Sequence, residues 1–254
     1  MAELLFLGTG AADWDINAKT GYFRRNSAAL LNGELMIDCG PHIFDFAEDF
    51  SREVYNDVTD IVITHNHSDH FNKDSVLRLA KDRKIRVFGD AQIKEALDDR
   101  ENIEFIKAVP YVCQKVGRYS VIPLLANHHI VADGDRFALH YIIKTPDGKN
   151  LFYGCDGAWF LRPTWNTMLE YKFDAMVLDC TVGDMDDWRL FEHNTIPMLR
   201  TMMKAVREKE LMNDNGMVIA SHLARTLHVS HEETERILAE MDMITAYDGM
   251  TAEF

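Results

Sequence analysis

The stretch Asp60-Ile-Val-Ile-Thr64-His65-Asn-His67-Ser-Asp69-His70-Phe71 decides how this chain is read. A short apolar run, the pattern of a buried strand, ends directly in three imidazoles and a carboxylate packed into six positions. Neutral imidazole and carboxylate are the ligands zinc takes, at about 2.0–2.1 Å for nitrogen and about 2.0–2.2 Å for oxygen. Side chains alternate in direction along an extended chain, so His65 and His67 share one direction while Asp69 and His70 can reach a neighbouring ion. A solvated His-rich loop is the competing reading, and this density of ligand-type residues speaks against it.

Working outward, Asp38 follows Leu35-Met-Ile, His128 closes Ile122-Pro-Leu-Leu-Ala-Asn, Asp156 follows Leu151-Phe-Tyr-Gly-Cys, and His222 follows Met217-Val-Ile-Ala-Ser. With His65 these make five strand ends meeting at one edge of a sheet. Open α/β sheets gather ligands and catalytic groups there, where loops converge and strands hold them rigid.

His65-x-His67-x-Asp69-His70 resembles the signature of the metallo-β-lactamase-fold hydrolases, and the likeness runs over nearly the whole chain. The resemblance implies a dinuclear site: His65, His67 and His128 on one metal, Asp69, His70 and His222 on the other, and Asp156 on both. His128 is favoured over His129 because the family places this ligand directly after a small or polar residue. Asp38 is expected to support the ligands from behind, and Asp69 and Asp38 are assigned to the catalytic set. The fold implied is a four-layer αββα sandwich forming one domain over residues 1–254; the residues alone establish only α/β or α+β.

Two metals roughly 3.5–4 Å apart can hold a bridging water, lower its pKa toward neutrality and clamp developing negative charge, so hydrolysis is the expected reaction. Zinc is the first choice, and mixed imidazole and carboxylate ligation also accepts manganese or iron. Leu7-Gly-Thr-Gly10 and the segment ending Arg24-Arg25-Asn26-Ser27 resemble the branch containing the phosphoribosyl cyclic phosphodiesterase and the tRNA 3′-processing endonuclease. On that likeness Arg24 and Arg25 are candidate phosphate ligands, since a guanidinium fork matches two phosphate oxygens. His228, in the segment after His222, is preferred to His231 as the general acid. His42 and His193 sit in no motif and receive no role, and Trp14, Trp159 and Trp188 are read as ordinary packing.

Composition selects among substrates. The chain has 254 residues and a net charge of −14 with no Lys/Arg-rich arm, whereas a long polyanion is normally held by a basic surface. The segment before His222 is acidic around Asp184-Met-Asp-Asp187. A small cyclic or linear phosphodiester therefore stands first, a thioester or lactone cleaved at the same metals second, and tRNA third. A non-catalytic metal-binding module would be marked by a missing ligand, and every expected ligand is present. The four cysteines lack metal-type spacing and read as reduced thiols. Glu3 interrupts the apolar start and no apolar stretch approaches the ~20 residues a span requires, so a cytoplasmic location without membrane contact is expected. The resemblance adds a homodimer.

Apolar periodicity and turn residues place the elements. Strands are expected at Leu4–Leu7, 27–31, 34–38, 86–88, 121–126, 138–144, 151–154, 175–179 and 217–221, with helices over 74–81, 91–97, 194–209 and 232–241. Asn32-Gly33 predicts a two-residue hairpin, Asp147-Gly148 a second hairpin turn, and Asp90 a helix N-cap.

Overall fold

The computed structural model describes residues 1–15, 23–128 and 136–254; His129 lies outside them. Strands β1 (Glu3–Gly8), β2 (Ala28–Leu31), β3 (Leu35–Ile37), β4 (Asp60–Val62), β5 (Ile85–Gly89) and β6 (Ile103–Lys107) lie side by side in chain order. A second sheet takes β7 (Gln114–Val116), β8 (Tyr119–Leu125), β9 (Leu139–Lys144), β10 (Asn150–Gly154), β11 (Phe173–Asp179), β12 (Met212–Ser221) and β13 (Met243–Thr245), again in order. The last strand, β14 (Thr251–Glu253), returns to pair antiparallel with β1, so each sheet has seven strands. In both sheets an antiparallel start gives way to parallel pairing, along β3 to β6 and along β10 to β13.

Period-2 alternation shows why the sheets stack. Leu4 and Phe6, Leu35 and Ile37, Leu151 and Tyr153, and Ala175 and Val177 face the seam between the sheets. The residues between them face outward. Leu5, Leu7 and Met36 pack with Ile43 and Phe46 of α1 (Ile43–Phe50), Val76 and Leu79 of α2 (Lys73–Leu79) and Ile93 of α3 (Ala91–Leu97). Phe152, Met176 and Leu178 pack with Met168 of α4 (Arg162–Met168), Leu199 and Val206 of α5 (Ile196–Glu208) and Leu238 of α6 (His231–Ala239). A strand covered on both faces is apolar at both parities, and the result is the four-layer αββα sandwich. Asp90 caps α3, accepting from the backbone N–H groups of Gln92 and Ile93.

Several expectations shift. The β2–β3 connection is three residues, because Leu31 pairs with Leu35; Asn32 and Gly33 both take positive φ, as foreseen for that dipeptide, but Glu34 joins the turn. The helices α1 and α4 and the strands β6, β7, β13 and β14 were not anticipated. Most are short, and α4 carries a proline in its first turn, where proline suits a helix start. Gly8 and Gly10 form a close-approach turn: a Cβ on Gly8 would meet the Asn26 carbonyl oxygen at 2.0 Å, and one on Gly10 would meet the Trp14 ring at 2.6 Å.

Candidate metal centre

The C-terminal ends of β3 and β4 in one sheet and of β10, β11 and β12 in the other open onto the same cleft. Asp38, Asp156 and His222 turn off their strands with φ of 62°, 62° and 61°. Left-handed backbone costs a non-glycine residue roughly 1–2 kcal/mol, and such outliers concentrate where a side chain must be aimed at a site. His65, His67, Asp69 and His70 arrive differently, on one loop closed by the His70 and Phe71 N–H groups donating to the His67 carbonyl.

Beside a group made of Asp156, Asp179, His193 and His222, two groups of ligand-type atoms match the expected ligand sets. His65, His67, His128 and Asp156 form one, and Asp69, His70, His222 and Asp156 the other, each with its atoms within 4.8 Å of one another. Asp156 Oδ2 joins them, standing 3.3 Å from the Nε2 atoms of His65, His70 and His128 and 3.7 Å from His222 Nε2. His67 Nδ1 and His128 Nε2 are 3.1 Å apart, as are His70 Nε2 and His222 Nε2, and Asp69 Oδ2 lies 3.4 Å from His222 Nε2. Ligands about 2.0–2.1 Å from a tetrahedral ion stand about 3.3–3.4 Å apart, so these spacings fit metal coordination. His65 Nε2 fits as well, being buried with no hydrogen-bond partner among the described residues, a state that is costly for a polar atom unless something ligates it.

Behind the ligands stand groups that fix their ring orientation, as ligating histidines require. Asp38 lies 2.7 Å through Oδ2 from His70 Nδ1, and its Oδ1 accepts from the Thr64 N–H at 2.7 Å. Thr181 Oγ1 is 2.7 Å, and Asp179 Oδ2 3.4 Å, from His222 Nδ1. His128 Nδ1 is 3.2 Å from the Glu192 carbonyl.

Protonation divides the two groups. Burial, reinforced by His70, pushes the His65 pKa well below the ordinary value, and burial with His128 lowers that of His67. Burial acts the same way on His70, yet Asp69 and Asp38 raise it well above. At His222 burial is overcome by Asp156 and Asp179, which raise the pKa to about 9. Asp69 and Asp156 are held below the usual carboxylate range despite burial, Asp69 chiefly by His70 and Asp156 by His222 and His128.

Sequence reasoning missed His193 and Asp179. His193 Nδ1 sits 2.8 Å from Asp156 Oδ1 and 3.6 Å from Asp179 Oδ2, and the residue lines the cleft. Against burial, Asp156 and Asp179 raise its pKa to about 11. Asp179 ends an apolar run as Asp38 does, and that was the available signal; His193 follows no such run.

Three expected site residues lie elsewhere. Arg24 is buried, donating to Thr9 Oγ1 and to the Ala246 carbonyl, both at 2.5 Å, with His231 Nδ1 3.1 Å from its other terminal nitrogen. Arg25 is buried against Asp248 and Asp49. Their charge is committed to tying the Gly8–Gly10 turn and the 246–248 loop together, and neither lines the cleft. His228 Nε2 donates to the Cys180 carbonyl at 2.8 Å, its Nδ1 is buried, and it too is absent from the cleft wall. Cys39 and Cys155 are buried beside Asp38 and Asp156, and burial raises both thiols far above their ordinary value, which makes them neutral filler.

Such a fold and such a set of converging side chains define a metallo-hydrolase type of architecture. The beta-lactamase superfamily domain matches residues 34–243, and the chain belongs to that superfamily. Its coarse class is that of a metal-dependent hydrolase, with buried clusters suited to divalent metal. Similar structures include Zn(2+)-bound PqqB from Methylobacterium extorquens, with a TM-score of 0.77 and 14% identity over 99% of this chain and 100% of the other. A diphosphatase of the PhnP family matches at 0.73 and 17% identity over 100% and 98%, and human tRNase Z, short form, at 0.70 and 17% over 99% and 98%. No curated protein matches.

Proposed function

We propose that this protein is a dinuclear metal-dependent phosphodiesterase acting on a small cyclic or linear phosphodiester, with zinc as the first metal. The observation that carries the reading is Asp156 Oδ2, placed among four imidazole Nε2 atoms drawn from both ligand groups. When bound, the two metals would supply Lewis-acid stabilisation of negative charge and an activated water.

The chain's own residues supply the rest. His65, His67 and His128 would hold one metal, Asp69, His70 and His222 the other, with Asp156 shared. Asp38 and Asp179 keep the Nε2 lone pairs of His70 and His222 turned inward by taking the Nδ1 side. His193 takes the place of His228 as the proton donor to the departing oxygen: it lines the cleft, and its Nδ1 faces Asp156 and Asp179.

The cleft, about 240 Å³, suits a small group. An acyl substrate would call for an apolar channel, whereas Leu227 is the one large aliphatic side chain on the wall among the described residues. A diphosphatase and a tRNase Z among the structural neighbours also favour phosphorus over acyl chemistry. The test is hydrolysis of bis(p-nitrophenyl) phosphate by zinc- or manganese-loaded protein beside Asp156→Ala. Turnover that vanishes in the variant is expected. No turnover with two metals bound would overturn the reading in favour of ester, thioester or lactone substrates.

A further inference from the structure

The cleft wall carries one guanidinium and no lysine among the described residues: Arg189. It lies on a short 3₁₀ turn, Trp188–Phe191, led by Asp187. Asp187 accepts from the Arg189 backbone N–H at 2.8 Å and holds its side chain through Nη1 alone, at 2.9 and 2.8 Å to the two carboxylate oxygens. The Trp188 ring lies beneath the guanidinium, 5.0 Å from its carbon. Nε and Nη2 therefore keep their donors without a partner among the described residues. A guanidinium pinned at one corner and stacked on a ring has lost much of its rotamer freedom before any ligand arrives, which favours binding.

The other charges on the wall sharpen the point. Asp13 is occupied by the Arg225 and Thr226 backbone N–H groups and by Thr226 Oγ1, and Asp69 and Asp156 belong to the ligand clusters. Glu192, three residues from Arg189, is the remaining acidic residue on the wall. An anion entering this cleft has one non-imidazole cation among the described residues of the wall to pair with.

We infer that Arg189 is a specificity-determining residue that binds a second anionic group of the substrate, a phosphate or a carboxylate, apart from the group attacked at the ligand cluster. This rests on the phosphodiesterase reading for the identity of the attacked group. It also fits a chain of net charge −14: a single pinned guanidinium selects a compact bis-anionic molecule, where a polyanion would need many such contacts.

The test is equilibrium binding to metal-loaded protein by calorimetry, with two matched pairs of probes. Glycerol 3-phosphate and 3-phosphoglycerate differ by a carboxylate; adenosine 5′-phosphate and adenosine 3′,5′-bisphosphate differ by a phosphate. In the wild type at least one bis-anionic probe should bind about ten- to a hundredfold tighter than its partner, the range of a charge-assisted hydrogen bond. Arg189→Ala should erase that gain and leave the mono-anionic probe bound as before, and Arg189→Lys should keep part of it. The inference is overturned if neither pair shows a gain in the wild type or if the gain survives Arg189→Ala. Should the Arg189-dependent gain appear while bis(p-nitrophenyl) phosphate is not turned over, the anion site stands and the phosphodiesterase reading falls.

Discussion

The two ligand groups that share Asp156 are built from the same side-chain types, and the pKa values of His65 and His67 are moved in the opposite direction from those of His70 and His222. His65 and His67 have depressed pKa values and one backbone carbonyl behind His128. His70 and His222 have Asp38 and Asp179 behind them and elevated pKa values. The difference lies first in the carboxylates beside the rings, Asp69 at His70 and Asp156 at His222, and then in Asp38 and Asp179 behind them: an imidazole set among carboxylates becomes a stronger base, and hence both a stronger ligand and a better holder of protons. At neutral pH His65 and His67 are thus free to take a metal, whereas His70 and His222 must give up protons first.

The hardest blow to this arrangement is Asp156→Ala, because it removes the atom common to both positions. Phosphodiester turnover should fall by at least about 10³-fold, equivalent to several kcal/mol of lost charge stabilisation, and a steady-state assay with metal content measured alongside checks it. Next come Asp38→Asn and Asp179→Asn. Each should weaken metal binding about 10–100-fold, and at the Asp69/His70/His222 position alone. Stepwise metal titration followed by cobalt absorption would reveal which position empties. Equal weakening of both positions would break the comparison.

The pH dependence is a gentler probe. At the Asp69/His70/His222 position, protons on the histidines compete with metal, so affinity should rise by about tenfold per pH unit for each proton displaced. At the other position His65 and His67 have lowered pKa values, so neither should add a pH dependence from pH 7 to 9. Proton release counted by calorimetry in buffers of different ionisation enthalpy separates the two. For metal-free protein the sign reverses. The His222 pKa is about 9 in the fold against about 6.5 unfolded, so its contribution to stability is complete below about pH 6.5. It is lost as the pH climbs through about 9, and denaturant melts across that window should show metal-free protein weakening.

The smallest expected effect concerns how the ligands are delivered. His222 has φ of 61°, whereas His67 is absent from the positive-φ residues. In metal-free protein His222→Gly should be more stable than His222→Ala by about 1 kcal/mol, while His67→Gly should be less stable than His67→Ala by roughly 0.4–1 kcal/mol. Chemical denaturation of the four variants decides it.

Much of this was legible from the chain. The loop ligands sit in one local pattern, and Asp38, Asp156 and His222 are each announced by the apolar run before them. The strands are announced by short apolar runs, while their arrangement in two sheets came only with the family resemblance. What escaped depends on contacts far apart in sequence. Nothing near Arg25 signals that Asp248, 223 residues away, will neutralise it, so two buried structural arginines looked like free phosphate ligands. His228 and His193 are both loop histidines without a preceding strand. Only the three-dimensional path puts His193 against Asp156 and turns His228 toward the Cys180 carbonyl. The short edge strands β7, β13 and β14 are fixed by pairing partners and carry little pattern of their own.

The central claim, that two ligand groups share one carboxylate, is tested most directly by counting metals in a zinc-soaked crystal at neutral to alkaline pH through anomalous scattering. Two ions about 3.5–4 Å apart are expected, with Asp156 touching both, and the ion between His70 and His222 should be the one lost when the crystal is moved to pH 6. A single ion at every pH, or two ions with Asp156 bound to only one, would contradict it.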